Sequence, residues 1–403
     1  MISPPKAYDI VQKRTHPLPV QSLALVHAPG HCLARDIRAD RDLPPTDRSA
    51  MDGYAVRAED VARFSGKLTL VGEAAAGSVS APPVGVGKCV SIYTGAVVPK
   101  GANTVVKVED TDKAGDIVTV LKPVKKGANI RKRGEETAKG GVILTKGEKL
   151  DAGQIGLCAS VGKTRLSVYC RPRVAVISTG TEIVDPEESA KPWQIRDSNG
   201  PTLCAALKAF SCDKIYYRIV RDNMAALRRS LGYALKKRDV VLLSGGVSVG
   251  RYDLVPQILQ EIGARIHFHK VAIKPGKPVL YATIGKNQHI FGLPGNPLSA
   301  LNAFHEFVLP AIRCLSGLGK EHCRPSVYLP LGETLTPKGN RLEHILVKVR
   351  PNETGPLLVP IRNRGSADLV TAIQADGVAL LPRDKKKCQA GCYVEFRSWR
   401  PLS

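Results

Sequence analysis

Between residues 173 and 293 short apolar runs alternate with helical stretches, and several of the runs stop abruptly in small polar residues. The runs read VAVIS, KIYYRIV, VVLLS, RIHFHKVA, VLYAT and HIFGL, and helices are expected at about 201–210, 223–237 and 254–262. Runs this short and this apolar fit strands buried on both faces. Their alternation with helices predicts an α/β domain with a largely parallel sheet. In open sheets of this kind ligands bind beyond the carboxyl ends of the strands. STGTE, SGGVS and GLPGNP, which follow three of the runs, are therefore expected to converge on one edge.

Those loops carry the chemistry. In SGGVSVGRYD, Ser244, Gly245 and Gly246 follow the strand, and Ser248 and Asp253 come soon after. Paired glycines let a backbone turn and lie close to a ligand, and free N–H groups there favour an anion. A tight strand-to-helix turn explains the same glycines. STGTE ends a second strand in hydroxyls and presents Glu182. KVAIKPGKP places Lys270, Lys274 and Lys277 about a proline-stiffened turn, and Pro294 and Pro297 bracket Gly295 and Asn296 ahead of a helix. Together they describe a basic, hydroxyl-lined crevice suited to a phosphorylated ligand. Asp222, Asp253, Glu182 and Asp52 belong with it if a divalent cation bridges carboxylate and phosphate, as Mg²⁺ does with one or two carboxylates. Asp222 serves equally as the cap of the helix that follows it.

At 403 residues the chain is too long for one ordinary core. Residues 67–120 form short β-like runs separated by Gly and Pro, GEKLDAGQIGLCASVG looks helical with Leu150, Ile155, Leu157 and Cys158 on its apolar face, and the chain beyond 318 turns β-like again. No apolar run approaches the ~20 residues of a membrane span. The N-terminus shows no secretory pattern, and ten cysteines without CxxC pairs read as reduced core thiols, so a soluble, cytoplasmic protein is expected. Lys and Arg number 59 against 36 acids, for a formal charge of +23. Aromatics make up only 5%, too few for a base-stacking platform, so nucleic acid is not the expected partner.

PPTDRSAMDGYAV, IYTGAVVPKGANTVVKVED, GANIRKRGEE, STGTEIV, IRDSNGPTL, SGGVSVGRYDLV, KPGKP and GLPGNPLSA occur in this order. On these motifs the chain resembles the MoeA family, the molybdopterin molybdenumtransferases, which include the E domain of gephyrin and its plant counterparts. The resemblance implies four parts: a linker domain (1–50 and 141–170), an inserted β-rich domain (51–140), a molybdopterin-binding α/β domain (171–318) and a C-terminal β-barrel (319–403). It implies a homodimer whose cleft combines the α/β domain of one subunit with the inserted domain of the other. It implies insertion of molybdate into adenylylated molybdopterin with release of AMP in the presence of Mg²⁺. Molybdopterin adenylyltransferase and molybdoenzymes are expected as further partners.

Carried over by motif, Asp52, Thr94, Glu182, Asp222 and Asp253 are the expected catalytic residues, the last three also holding the metal. Arg131, Glu136, Ser244, Gly245, Gly246, Ser248, Lys270, Lys274, Lys277, Pro294, Pro297 and Ser366 are expected to bind substrate. Molybdate is a dianion, and lysine and hydroxyl donors suit it. The chain departs from the family pattern at Glu136 and Asn103, where aspartate is commoner, and at Arg251, where an acid is. A related adenylyltransferase and a non-catalytic molybdopterin-binding scaffold are the competing readings. The MDGYA and TGA motifs argue against the first, and retention of the acids and lysines against the second.

Overall fold

Six strands lie side by side in the order Ile215–Val220, Val174–Thr179, Val240–Ser244, Gln288–Leu293, Leu280–Ile284 and Arg265–His269. The structure, a computed structural model, describes residues 1–78, 81–246, 254–337, 339–353, 355–381 and 387–400. Two compact units make up the chain: Met1–Ala34, Gly147–Asp151 and Arg165–Ser403 form one, which holds this sheet, and Arg35–Lys146 and Ala152–Thr164 form the other.

The first four strands of the sheet are parallel. The fifth pairs antiparallel with both of its neighbours, so the sixth runs in the same sense as the first four and the sheet is largely parallel, as expected. The connection from Leu280–Ile284 to Gln288–Leu293 is a short hairpin, which can join only antiparallel neighbours. All residues of Val174–Thr179 and Val240–Ser244 are buried, yet they still alternate. Val174, Val176, Val240 and Leu242 pack with Leu203, Leu207 and Phe304 on one face. Ala175, Ile177, Val241 and Leu243 pack with Leu227, Leu231 and Ile258 on the other.

The helices match the expected ones to within about two residues: Asn199–Ala209, Met224–Lys237 and Leu254–Glu261. The cap of the second is Asn223, whose side chain accepts from the Ala226 N–H at 2.8 Å, and not Asp222. A further helical run, Pro297–Ala303, opens with proline at its first position.

In the same unit, Leu357–Pro360, Leu342–Arg350, Gly377–Leu381, Tyr393–Ser398 and Val327–Pro330 are consecutive neighbours. Leu331 bridges back to Leu358, which closes the ring into the expected barrel. Leu331, Val347, Leu358, Ala379, Leu381 and Phe396 fill its interior. The two-residue strand Ile273–Lys274 joins the barrel strand Leu342–Arg350 in parallel.

The second unit is built on another six-stranded sheet, in the order Thr104–Lys107, Gly53–Val56, Lys88–Ile92, Lys67–Ala74, Ile117–Val120 and Thr111–Ala114. The helix expected in GEKLDAGQIGLCASVG begins at Ala152, so Leu150 precedes it instead of lying on its apolar face. Asn103 shows why an amide stands where aspartate was expected. Its Oδ1 accepts from the Ala58 N–H at 2.8 Å, at the start of the helix Ala58–Arg63, while its Nδ2 donates to Glu59 at 2.8 Å. An aspartate could accept the first bond but not donate the second, and would set like charges together.

Candidate active site

Register decides where the loops of the α/β sheet meet. Ser178 lies opposite Ser244, and Ser244 opposite Leu293, so the three strands end level. Beyond them opens a cavity of about 1460 Å³ lined by Glu182, Asp222, Ser244, Gly245, Gly246, Lys274, Lys277, Pro294, Pro297 and Ser366, among others. Convergence of the three strand-end loops is thus observed in the larger unit.

The glycines of the second loop are required there. A Cβ on Gly245, at φ 93°, would run into the Thr179 carbonyl oxygen. One on Gly246 would stand 3.2 Å from the Thr179 methyl and 3.7 Å from Asp222 Oδ1. The expectation of free amides is corrected for one of them, since Gly245 N–H donates to Leu293 O at 3.2 Å. Asp222 accepts a short hydrogen bond from the Thr179 hydroxyl, which fixes its carboxylate beside the loop.

Two residues that sequence reasoning left without a role hold these loops in place. Asn199 Nδ2 donates to Ser244 Oγ at 2.8 Å and to Gly295 O at 2.7 Å, tying two loops together from a buried position. Asp197, also buried, accepts from Gly200 N–H at 3.0 Å and from the Tyr217 hydroxyl at 2.7 Å. Burial and then the Asp197 carboxylate push the Tyr217 hydroxyl pKa upward, so it stays a donor. Both acceptor and tie lie in IRDSNG, and a polar Asp-x-Asn directly before a helix was the available signal.

The facing wall comes from the lysine turn and the barrel. Lys274 Nζ lies 3.0 Å from Glu343 Oε1. Arg341, which also lines the cavity, donates to Ile273 O at 3.1 Å. Asn302 Nδ2 donates to Pro275 O at 2.9 Å and its Oδ1 accepts from His344 Nδ1 at 2.9 Å. Burial holds His344 down at about 4, so the ring is neutral. Ser366 accepts from Asn296 Nδ2 at 2.7 Å, and its carbonyl takes the Leu298 N–H. Nothing in RLEHILVKV marks Arg341, Glu343 or His344 in advance, because the pattern is that of any barrel strand and the residue before it.

Lys270 is not among the residues that line the cavity. It follows the strand Arg265–His269 at φ 99°, with its amide bonded to Val279 O and its carbonyl to the Ile2 N–H. The expected roles of Ser248 and Asp253 fall outside the described residues.

The remaining four expected residues belong to the second unit and form two constellations. Asp52 Oδ1 accepts from the Thr94 N–H at 2.7 Å and from its hydroxyl at 2.8 Å, and these bonds hold the carboxyl below its usual range. Arg131 contacts Glu136 and bonds Glu135 at 3.2 Å.

Among the described residues no three His, Cys, Asp or Glu side chains gather to hold a metal ion by themselves. Glu182 and Asp222 on the cavity wall nonetheless match what Mg²⁺ takes from protein, the rest being phosphate oxygens and water. The donor set fits a cation that arrives with a phosphorylated ligand.

Family models match three stretches: the MoeA N-terminal region (domain I and II) over 2–162, a probable molybdopterin binding domain over 175–314 and the MoeA C-terminal region (domain IV) over 328–399. A molybdopterin molybdenumtransferase of Staphylococcus epidermidis is 33% identical over 374 residues, 91% of this chain and 88% of that protein. One of a Nostoc species is 39% identical over 319 residues, 78% and 73% respectively. A crystal structure of a molybdopterin biosynthesis MoeA protein from Pyrococcus horikoshii matches with a TM-score of 0.79 at 32% identity, covering 100% of both chains. A second, from the same organism, reaches 0.83 at 28% identity over 99% of this chain and 100% of that one.

Proposed function

Since the chain belongs to the MoeA family of molybdopterin molybdenumtransferases, enzymes of molybdenum cofactor biosynthesis, we propose that it inserts molybdate into adenylylated molybdopterin, with Mg²⁺ as cofactor and AMP as the released product. The observation that carries this reading is the joint lining of one cavity by Glu182 and Asp222, the Ser244–Gly246 loop, Lys274, Lys277 and Ser366. Acids and lysines on a common wall are what a ligand with a pyrophosphate, and an oxyanion co-substrate, both need.

Each group has a task in that reaction. The side-chain-free surface of Gly245 and Gly246 lets the phosphates lie against the backbone. Glu182 and Asp222 would hold Mg²⁺, which when bound neutralises charge on the phosphate oxygens. Thr179 keeps the Asp222 carboxylate aimed. Lys274, Lys277 and the Ser366 hydroxyl donate to molybdate, with Pro294 and Pro297 shaping the wall. Ser248 and Asp253 are assigned to the phosphate and cation side of the same ligand on motif grounds. Asp52, Thr94, Arg131 and Glu136 are assigned to the same reaction, in a homodimer.

Purified protein incubated with adenylylated molybdopterin, Mg²⁺ and molybdate tests the proposal by AMP release. Molybdate-dependent release is the expected result. Tight binding without release would replace it with a carrier or scaffold role.

A further inference from the structure

Lys274 and Glu343 face each other by backbone register. Ile273–Lys274 runs parallel to the barrel strand Leu342–Arg350 with Lys274 opposite Glu343. Their charged atoms are 3.0 Å apart, and the pair is lopsided: the Glu343 side chain is 5% exposed, the Lys274 side chain 44%. Both line the cavity, as do Lys277 and Arg341. The carboxylate is therefore fixed on the dry side and the ammonium presented to the opening.

A buried carboxylate stripped of its cation is costly, so Lys274 cannot swing fully onto a ligand. An anion entering here has to share the ammonium, and behind it meets a fixed negative charge. We infer that Glu343 is a positioning residue that also sets affinity: it anchors Lys274 on the wall and weakens the hold of the cavity on its oxyanion substrate. The identity of that anion as molybdate rests on the proposed function; the sign of the effect does not.

That sign separates this role from a merely structural one. If Glu343 only steadied Lys274, its loss would loosen the lysine and molybdate would bind more weakly. If its charge opposes the oxyanion, Glu343→Gln, which keeps the size and an acceptor for the ammonium, tightens binding.

The test follows AMP release by the full-length protein, with molybdate varied at saturating adenylylated molybdopterin and Mg²⁺, for wild type, Glu343→Gln, Lys274→Met and the double variant. Glu343→Gln is expected to lower the KM for molybdate by roughly threefold or more, and Lys274→Met to raise it. The double variant is expected to fall below Lys274→Met alone, because removing the unpaired carboxylate relieves repulsion. An unchanged or raised KM in Glu343→Gln, with thermal unfolding like wild type, overturns the inference. Calorimetric titration of wild type and Glu343→Gln with molybdate alone gives the same sign test without turnover. A wild type that binds molybdate but releases no AMP would thus sink the proposed reaction and still decide the role of Glu343.

Discussion

The cavity of the larger unit has one wall made by strand ends and another made by the lysine turn and the barrel, and the two are assembled by different means. On the sheet side, level strand ends and glycine contacts deliver Asp222, Ser244 and Glu182, the Thr179 hydroxyl fastens Asp222 and the Asn199 amide fastens Ser244. On the barrel side the buried Glu343 carboxylate, an arginine and a histidine–asparagine pair fasten Lys274 and Pro275. Changes to the sheet wall should therefore remove chemistry or wreck a loop, whereas changes to the barrel wall should shift affinity and pH response.

The strongest challenge to that contrast is Asp222→Ala. It is expected to slow AMP release roughly a hundredfold or more while thermal unfolding stays close to wild type. Near-normal turnover would remove Asp222 from the chemistry and leave the sheet wall a scaffold. Next comes Asn199→Ala, which unties two loops at a buried site. A loss of about 1–3 kcal/mol in denaturant unfolding, with kcat falling more than the KM for molybdate rises, is expected. If the KM moved instead, the sheet wall would be handling the oxyanion as well.

Lys277→Met sharpens the other side. An increase of about tenfold in the KM for molybdate with kcat nearly kept is expected, measured by initial rates at several molybdate concentrations. A fallen kcat at unchanged KM would put Lys277 in the chemical step. The smallest effect concerns acid. Burial lowers the His344 pKa from 6.5 to about 4. The unfolded chain then takes up the proton first, so stability is full above about pH 6.5 and declines as pH falls toward 4. His344→Gln should flatten that decline, by about 1–2 kcal/mol at pH 5 in unfolding titrations.

The sheet wall was largely legible in the sequence because buried parallel strands are continuous apolar runs, and where each run stops its loop begins. VVLLS followed by two glycines locates Gly245 and Gly246 to the residue. The barrel wall was not legible, since whether Arg341, Glu343 and His344 face a cavity depends on register with Ile273–Lys274, a pairing over a long sequence separation. The placement of Lys270 was not legible for the same kind of reason. Spacing with Lys274 and Lys277 suggests a set, but its backbone turns away at positive φ and bonds to Ile2 and Val279. Asn223, directly before the helix Met224–Lys237, takes the cap that was the alternative role for Asp222, whose carboxylate accepts from Thr179, distant in sequence.

The short ladder between Ile273–Lys274 and the barrel strand also bears on how such a protein can diversify. The strand that brings Glu343 belongs to a closed barrel with its own core, so a graft of that barrel from a relative would import its own counter-charge to Lys274 along with its fold. Retuning for a different oxyanion or a different supply of it could then proceed by module exchange, leaving Glu182 and Asp222 where they are.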